Sequence, residues 1–249
     1  MSSDGLDDIR EEIADACRVM AMRRLAPGIL GHISVRIDQD RLAIRCRHPD
    51  DRGLAFTRPD DVRVVRFDSS AGGPGELDGG HTPPFELPLH AAVLRRRPDV
   101  TCVVHAHPAD VVAADLAGLR IRPIVGAFDI PGSALARAGV PIYPRSVLVR
   151  DDRLGDEMVD HLGESAALVL RGHGITSTGA SVPEAVLRAI SLNGLAALSL
   201  SIVQAGGQLQ DISADDVAEL PDLGSSLNHQ TAWQHELACL DLWSGMPSV

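Results

Sequence analysis

The chain has 249 residues, enough for one large α/β domain, and its net charge of −11 and aromatic content of 3% exclude a nucleic-acid partner, whose phosphates would be repelled and whose bases would find few rings to stack on. All 23 basic residues are arginine, so Schiff-base chemistry, pyridoxal-phosphate anchoring and a P-loop are excluded together, and any electron sink is most simply a metal. The first residues lack a secretory signal pattern, the apolar stretch 186–205 is broken by Arg188, Asn193 and Gln204, and Cys17, Cys46, Cys102 and Cys239 form no C-x-x-C pair. The expectation is a cytoplasmic protein with no membrane span and no disulfide framework.

Apolar residues at helical spacing predict an amphipathic helix over Leu6–Leu25. Ile33–Ile37 and Leu42–Cys46 read as strands joined through Asp38-Gln39-Asp40, and Val62–Phe67 as a further strand. The Gly-, Ser- and Pro-rich segment Ser69–Gly80 has no periodicity and reads as a loop. A helix follows over Glu86–Arg97, with Pro88 tolerated in its first turn, and then a buried strand Val100–Val104 running into His105-Ala106-His107-Pro108. Helices are expected at Asp110–Leu119 and Arg150–Leu162, and an apolar strand at Ala166–Arg171 leads into Gly172-His173-Gly174. Ser181 caps a long helix with Pro183 and Glu184 in its first turn, which Gly206-Gly207 ends. No linker divides the chain, so residues 1–249 read as one domain with a C-terminal helical segment at about 212–249.

His105 and His107 lie two residues apart at a strand end, where alternation points both rings to one face. His173 sits between glycines at the end of a second strand. If the two strands are neighbours, three imidazoles converge on one divalent cation and leave positions open, the arrangement of a catalytic rather than a structural site. Glu86, at the N-terminus of its predicted helix, is by local sequence either a carboxylate favoured by the helix dipole or an acid/base group beside that cation.

Taken together and in this order, Gly31-His-Ile-Ser-Val-Arg36, Glu86-x-x-x-His90, Arg97-Pro-Asp-Val, His105-Ala-His-Pro108 and Arg171-Gly-His-Gly-x-x-x-x-Gly179 resemble the class II aldolase/adducin family. The resemblance implies an α/β fold with a central mixed or antiparallel sheet flanked by helices in three layers. It also implies one divalent metal per chain (Zn, Mn, Fe or Co) on His105, His107 and His173, with Glu86 as acid/base, and a homotetramer with sites near subunit interfaces. His90 is expected as a supporting or packing residue. Tyr143 and the segment holding Trp233, His235 and Trp243 could reach a site or serve the core.

The sequence departs from the family's sugar-phosphate enzymes where they hold phosphate. His32 stands in place of an asparagine, Pro84-Phe85 replaces a serine pair, and Thr57-Arg58-Pro59-Asp60 replaces or follows a threonine-containing turn. Proline has no N–H and phenylalanine no hydroxyl, so a phosphorylated substrate is not expected. Ser34, Arg58, Phe85 and His32 suit a small, flat anionic substrate instead, and the altered pattern resembles the family's decarboxylase branch. The leading expectation is a metal-dependent carbon–carbon lyase that decarboxylates a hydroxylated aromatic or pyridine carboxylic acid through a metal-stabilised enolate, with Glu86 or His32 protonating the ring carbon. Alternatives are an aldolase on a non-phosphorylated hydroxy-oxo acid, an Fe(II) aromatic oxygenase on the same scaffold, and, most remotely, a non-catalytic interaction protein like the adducins.

Overall fold

The computed structural model describes residues 3–221 and 226–244. The amphipathic opening segment forms α1 (Ser3–Met22), followed by the hairpin of β1 (His32–Arg36) and β2 (Arg41–Arg45). Its turn is held by the Asp38 carboxylate, which accepts from the N–H groups of Asp40 and Arg41. Then come β3 (Val62–Arg66), α2 (Leu87–Arg96), β4 (Cys102–Ala106) and α3 (Ala109–Leu116). The second half holds α4 (Ile130–Arg137), β5 (Ile142–Tyr143), α5 (Asp152–Leu162), β6 (Ala167–Leu170), β7 (Gly174–Gly179), α6 (Val182–Gln204), α7 (Ala214–Glu219) and α8 (Ser226–Ser244). Residues 222–225 and 245–249 of the expected C-terminal helical segment lie outside the described residues.

The seven strands make one mixed sheet in the order β3-β2-β1-β4-β7-β6-β5, antiparallel throughout except for the β5–β6 pair. Alternation along each strand divides the core in two. Ile33, Val35, Cys102, Val104 and Ala106 face α1 and α6, whereas Leu42, Ile44, Val103 and Leu168 face α2 and α5. By length and apolarity α6 would cross a membrane. In the structure one face of it, with Val182, Ala185, Val186, Ala189 and Leu192, is buried in the core. Ser181 caps it as its sequence predicts, accepting from the Glu184 N–H.

Strand β7, which positions the site, and helix α4 were not anticipated. Strand β7 lies between β4 and β6, so β4 and β6 are not neighbours, and His173 belongs to the tight β6–β7 turn. Helix α4, capped by the Asp129 carboxylate on the Gly132 N–H, lies against α6. At the end of the sheet away from His32, Arg36 donates to the carbonyls of Leu94, Arg97 and Val100. A guanidinium on the open carbonyls at a helix C-terminus is favourable, and here it ties α2 to β1.

Candidate active site

His32 and His105 are direct cross-strand partners on β1 and β4, and register places both rings on the α2 side of the sheet. The expectation that His105 ends a strand holds within one residue, since β4 runs to Ala106. His107 follows immediately, its N–H donated to the Leu25 carbonyl (2.9 Å). His173 is aimed by its flanking glycines. Gly172 turns at φ +58°, and a β-carbon on Gly174 would lie 2.2 Å from the Ala106 carbonyl oxygen, so only glycine lets β7 start this close to β4. The buried Asp115 carboxylate holds the same turn, accepting from Gly172 N–H (2.8 Å) and Arg171 Nε (3.1 Å).

Glu86 immediately precedes α2 yet makes no side-chain cap to it. Its Oε1 accepts from the Val149 N–H (2.8 Å), and its Oε2 lies 3.3 Å from His105 Nε2 and 3.6 Å from His173 Nε2. His107 Nε2 is 2.9 Å from His105 Nε2. One ligand atom from each of Glu86, His105, His107 and His173 thus falls within 4.8 Å of all the others.

This donor set fits a cation. His105 Nδ1 faces the Ile175 carbonyl (3.0 Å) and must carry its proton there, so a neutral His105 turns a bare Nε2 lone pair toward Glu86 and His107. Both ring nitrogens of His173 are buried with no hydrogen-bond partner among the described residues. Acceptors facing acceptors, beside an unpartnered buried imidazole, lack the positive charge that one divalent ion would supply. Burial, then the nearby His105 and His173, pushes the His107 pKa down to about 3, which keeps that ring neutral.

The remaining sequence candidates are spread around this cluster. Ser34 is fully buried, with its hydroxyl on His90 Nδ1 (2.7 Å), and His90 Nε2 lies 2.7 Å from His32 Nδ1. Phe85, expected as a pocket wall, is 84% exposed. Arg58 is exposed and lines a recess of about 500 Å³ with His48, Arg52, Phe56 and Asp61. The pairing of β1 with β2 and β2 with β3 puts this recess at the same sheet end as His32, two strands away from it. Tyr143 is buried and donates to Glu157 (3.0 Å), away from the cluster. Trp233 packs in the α1/α6 core, and His235 lies exposed on α8. The groups that sequence reasoning missed are the Asp115 carboxylate and two backbone atoms, the Val149 N–H and the Ile175 carbonyl.

The chain matches a known family over most of its length. The family described as Class II Aldolase and Adducin N-terminal domain matches residues 11–200. The chain belongs to the class II aldolase and adducin family. Among relatives, it is 60% identical over 229 residues to the 3,4-dihydroxyphthalate decarboxylase of Arthrobacter keyseri, covering 92% of each chain. It is 52% identical over 238 residues to the protein of the same description from Rhodococcus jostii (strain RHA1), covering 96% of this chain and 98% of that one. The fold of this class II aldolase family member matches the crystal structure of an aldolase II superfamily protein from Pseudomonas syringae with a TM-score of 0.82, at 20% identity, over 98% of this chain and 96% of that one.

Proposed function

We propose that the protein is a divalent-metal-dependent decarboxylase of a hydroxylated aromatic acid of the 3,4-dihydroxyphthalate type, with His105, His107 and His173 holding the metal. The observation that carries this reading is its identity of 52–60%, along more than nine-tenths of the chain, to decarboxylases of that substrate. The cluster of three imidazoles and one carboxylate suits the same chemistry, and the loss of hydroxyls at Pro84-Phe85 speaks against a sugar phosphate.

His105, His107 and His173 would hold a divalent cation, which would supply a Lewis acid for the negative charge that develops as the carbon–carbon bond breaks. The side chains do the rest. Ile175 fixes the His105 tautomer, and the Asp115-braced turn fixes His173. Glu86, anchored through Oε1 by Val149, has Oε2 free to move a proton. It accepts one from a substrate hydroxyl, the ring–carboxylate bond breaks to release CO₂ with its electron pair left on the ring, and Glu86 returns the proton to that carbon. Arg58, in its recess at the same sheet end, supplies a cation for the carboxylate that is retained.

Phe85 beside Glu86, Leu116 against Gly172, and Leu148 beside Val149 are 84%, 68% and 53% exposed, an apolar rim around the cluster. We take it to be covered by a second copy in a homotetramer. The buried free thiols of Cys17, Cys46 and Cys102 suit the reducing cytoplasm. The test is CO₂ release from 3,4-dihydroxyphthalate by metal-loaded protein, abolished by a chelator and restored by added metal. Retro-aldol cleavage of a sugar phosphate without decarboxylation of any hydroxylated aromatic acid would overturn the reading.

A further inference from the structure

Three buried side chains form a line that ends at the site. Ser34 Oγ lies 2.7 Å from His90 Nδ1, and His90 Nε2 lies 2.7 Å from His32 Nδ1. Ser34 and His90 are fully buried and His32 nearly so. A neutral imidazole has one N–H, so the line has two possible polarities. In the first, the Ser34 hydroxyl donates to His90, His90 Nε2–H donates to His32 Nδ1, and His32 keeps its own proton on Nε2. In the second every bond is reversed, His32 Nε2 is a bare acceptor, and the Ser34 hydroxyl hydrogen has nowhere to go.

Among the described residues Ser34 Oγ has no other partner. A buried donor without an acceptor is a larger penalty than an unused hydroxyl lone pair, so the first polarity wins. Charge does not disturb the choice. Both rings are buried, which disfavours a second proton on either, so each carries one.

We propose that Ser34 and His90 are positioning residues that lock His32 as the Nε2–H tautomer, so that His32 offers the substrate a neutral hydrogen-bond donor and is not the group that protonates the ring carbon. With Nδ1 engaged by His90, Nε2 is the only ring nitrogen left to meet an anionic substrate oxygen. A proton taken from a neutral imidazole could be replaced along the line only from the Ser34 hydroxyl, leaving a buried alkoxide, whereas Glu86 can borrow and return a proton. The role assigned to His32 rests on the proposed decarboxylase reading; the tautomer does not.

The test is ¹⁵N NMR of the zinc-loaded protein labelled at its 10 histidines, with His32 assigned by its loss in His32→Gln. At neutral pH, His32 is expected to carry its proton on Nε2 and none on Nδ1. His90→Gln, whose amide can accept from Ser34 and donate to His32 together, should keep that state, and His90→Leu should release it to a mixture. In turnover, kcat/KM should fall about 10-fold or more in His90→Leu and stay within about 3-fold in His90→Gln. A wild-type His32 protonated on Nδ1, or on both nitrogens, overturns the proposal. So does a folded His90→Gln that behaves like His90→Leu. The NMR result needs no substrate, so a locked Nε2–H tautomer without CO₂ release would sink the decarboxylase reading and leave the tautomer standing.

Discussion

Glu86 stands where a carboxylate would ordinarily steady the first turn of a helix, yet its side chain turns away from α2 toward two imidazoles and a backbone N–H. Glu86→Gln keeps an acceptor for Val149 and removes the exchangeable proton. Turnover is expected to fall by roughly 10²–10⁴ with metal content unchanged, read by steady-state kinetics beside elemental analysis of the purified variant. His90 makes a second prediction, about stability against pH. Its pKa is near the ordinary value of about 6.5 when the chain is unfolded and about 3 when folded. The unfolded chain therefore takes up a proton that the fold refuses. The contribution is complete above about pH 6.5 and is lost as pH falls toward the folded value, at about 1.4 kcal/mol per pH unit for this ring. Urea unfolding across that window should show the slope, and His90→Gln should lessen it. His105, His107 and His173 were legible in the sequence because each stands in a short pattern of histidine with glycine or proline at a strand end. The groups that aim them were not. A backbone carbonyl or N–H has no residue type to announce it, and although Ser34 and His90 stand out in the sequence as candidates, their joint hold on His32 exists only once β1 and α2 meet.

Among the elements, β7 is the one the sequence concealed and the one the site depends on most. Its residues, Gly-Ile-Thr-Ser-Thr-Gly, offer a single large apolar side chain, so neither alternation nor an apolar run marks a strand, although all six are buried. Cross-strand bonding supplies what pattern does not: Thr176 faces His105 and Ser177 faces Val104. The outer hairpin β1–β2, with one face on each core layer, alternates clearly and was readable within a residue or two. Helix α4 carries Pro131 and Gly132 in its first turn, residues of low helix propensity, so local pattern marks it weakly although Pro is well tolerated there. Gly174→Ala tests the close approach of β7 to β4. The added methyl meets the Ala106 carbonyl, so a loss of about 3 kcal/mol or more is expected with loss of bound metal. Gly126→Ala, with open space around it, should be near neutral. Equal thermal melts for the two variants would show that β7 can be repositioned without penalty.

At the scale of the whole molecule, the C-terminal helix is tied to the first. Arg23, just after α1, donates from Nε and an Nη to the two oxygens of Glu236 on α8, at 2.6 and 2.7 Å. The Glu236 side chain is only 6% exposed, so Arg23→Ala leaves a buried carboxylate unpaired. A loss of roughly 1–2 kcal/mol is expected, tempered by the partial exposure of the guanidinium. Limited proteolysis should detach α8 sooner than in the wild type, while decarboxylation per folded molecule stays unchanged, because Glu236 and Trp233 belong to the core on the α1/α6 side and the cluster to the other.

The order of strands has a consequence for how the protein is made. The ring of His105 is anchored on Ile175, 70 residues further along the chain, and His173 takes its place only when β7 has slid in between β4 and β6. During synthesis His105 and His107 leave the ribosome long before the strand that completes their pocket. The donors from β4 and from the β6–β7 turn therefore become one set only when the sheet has closed around them, so the site is a product of the finished topology and not of any local segment.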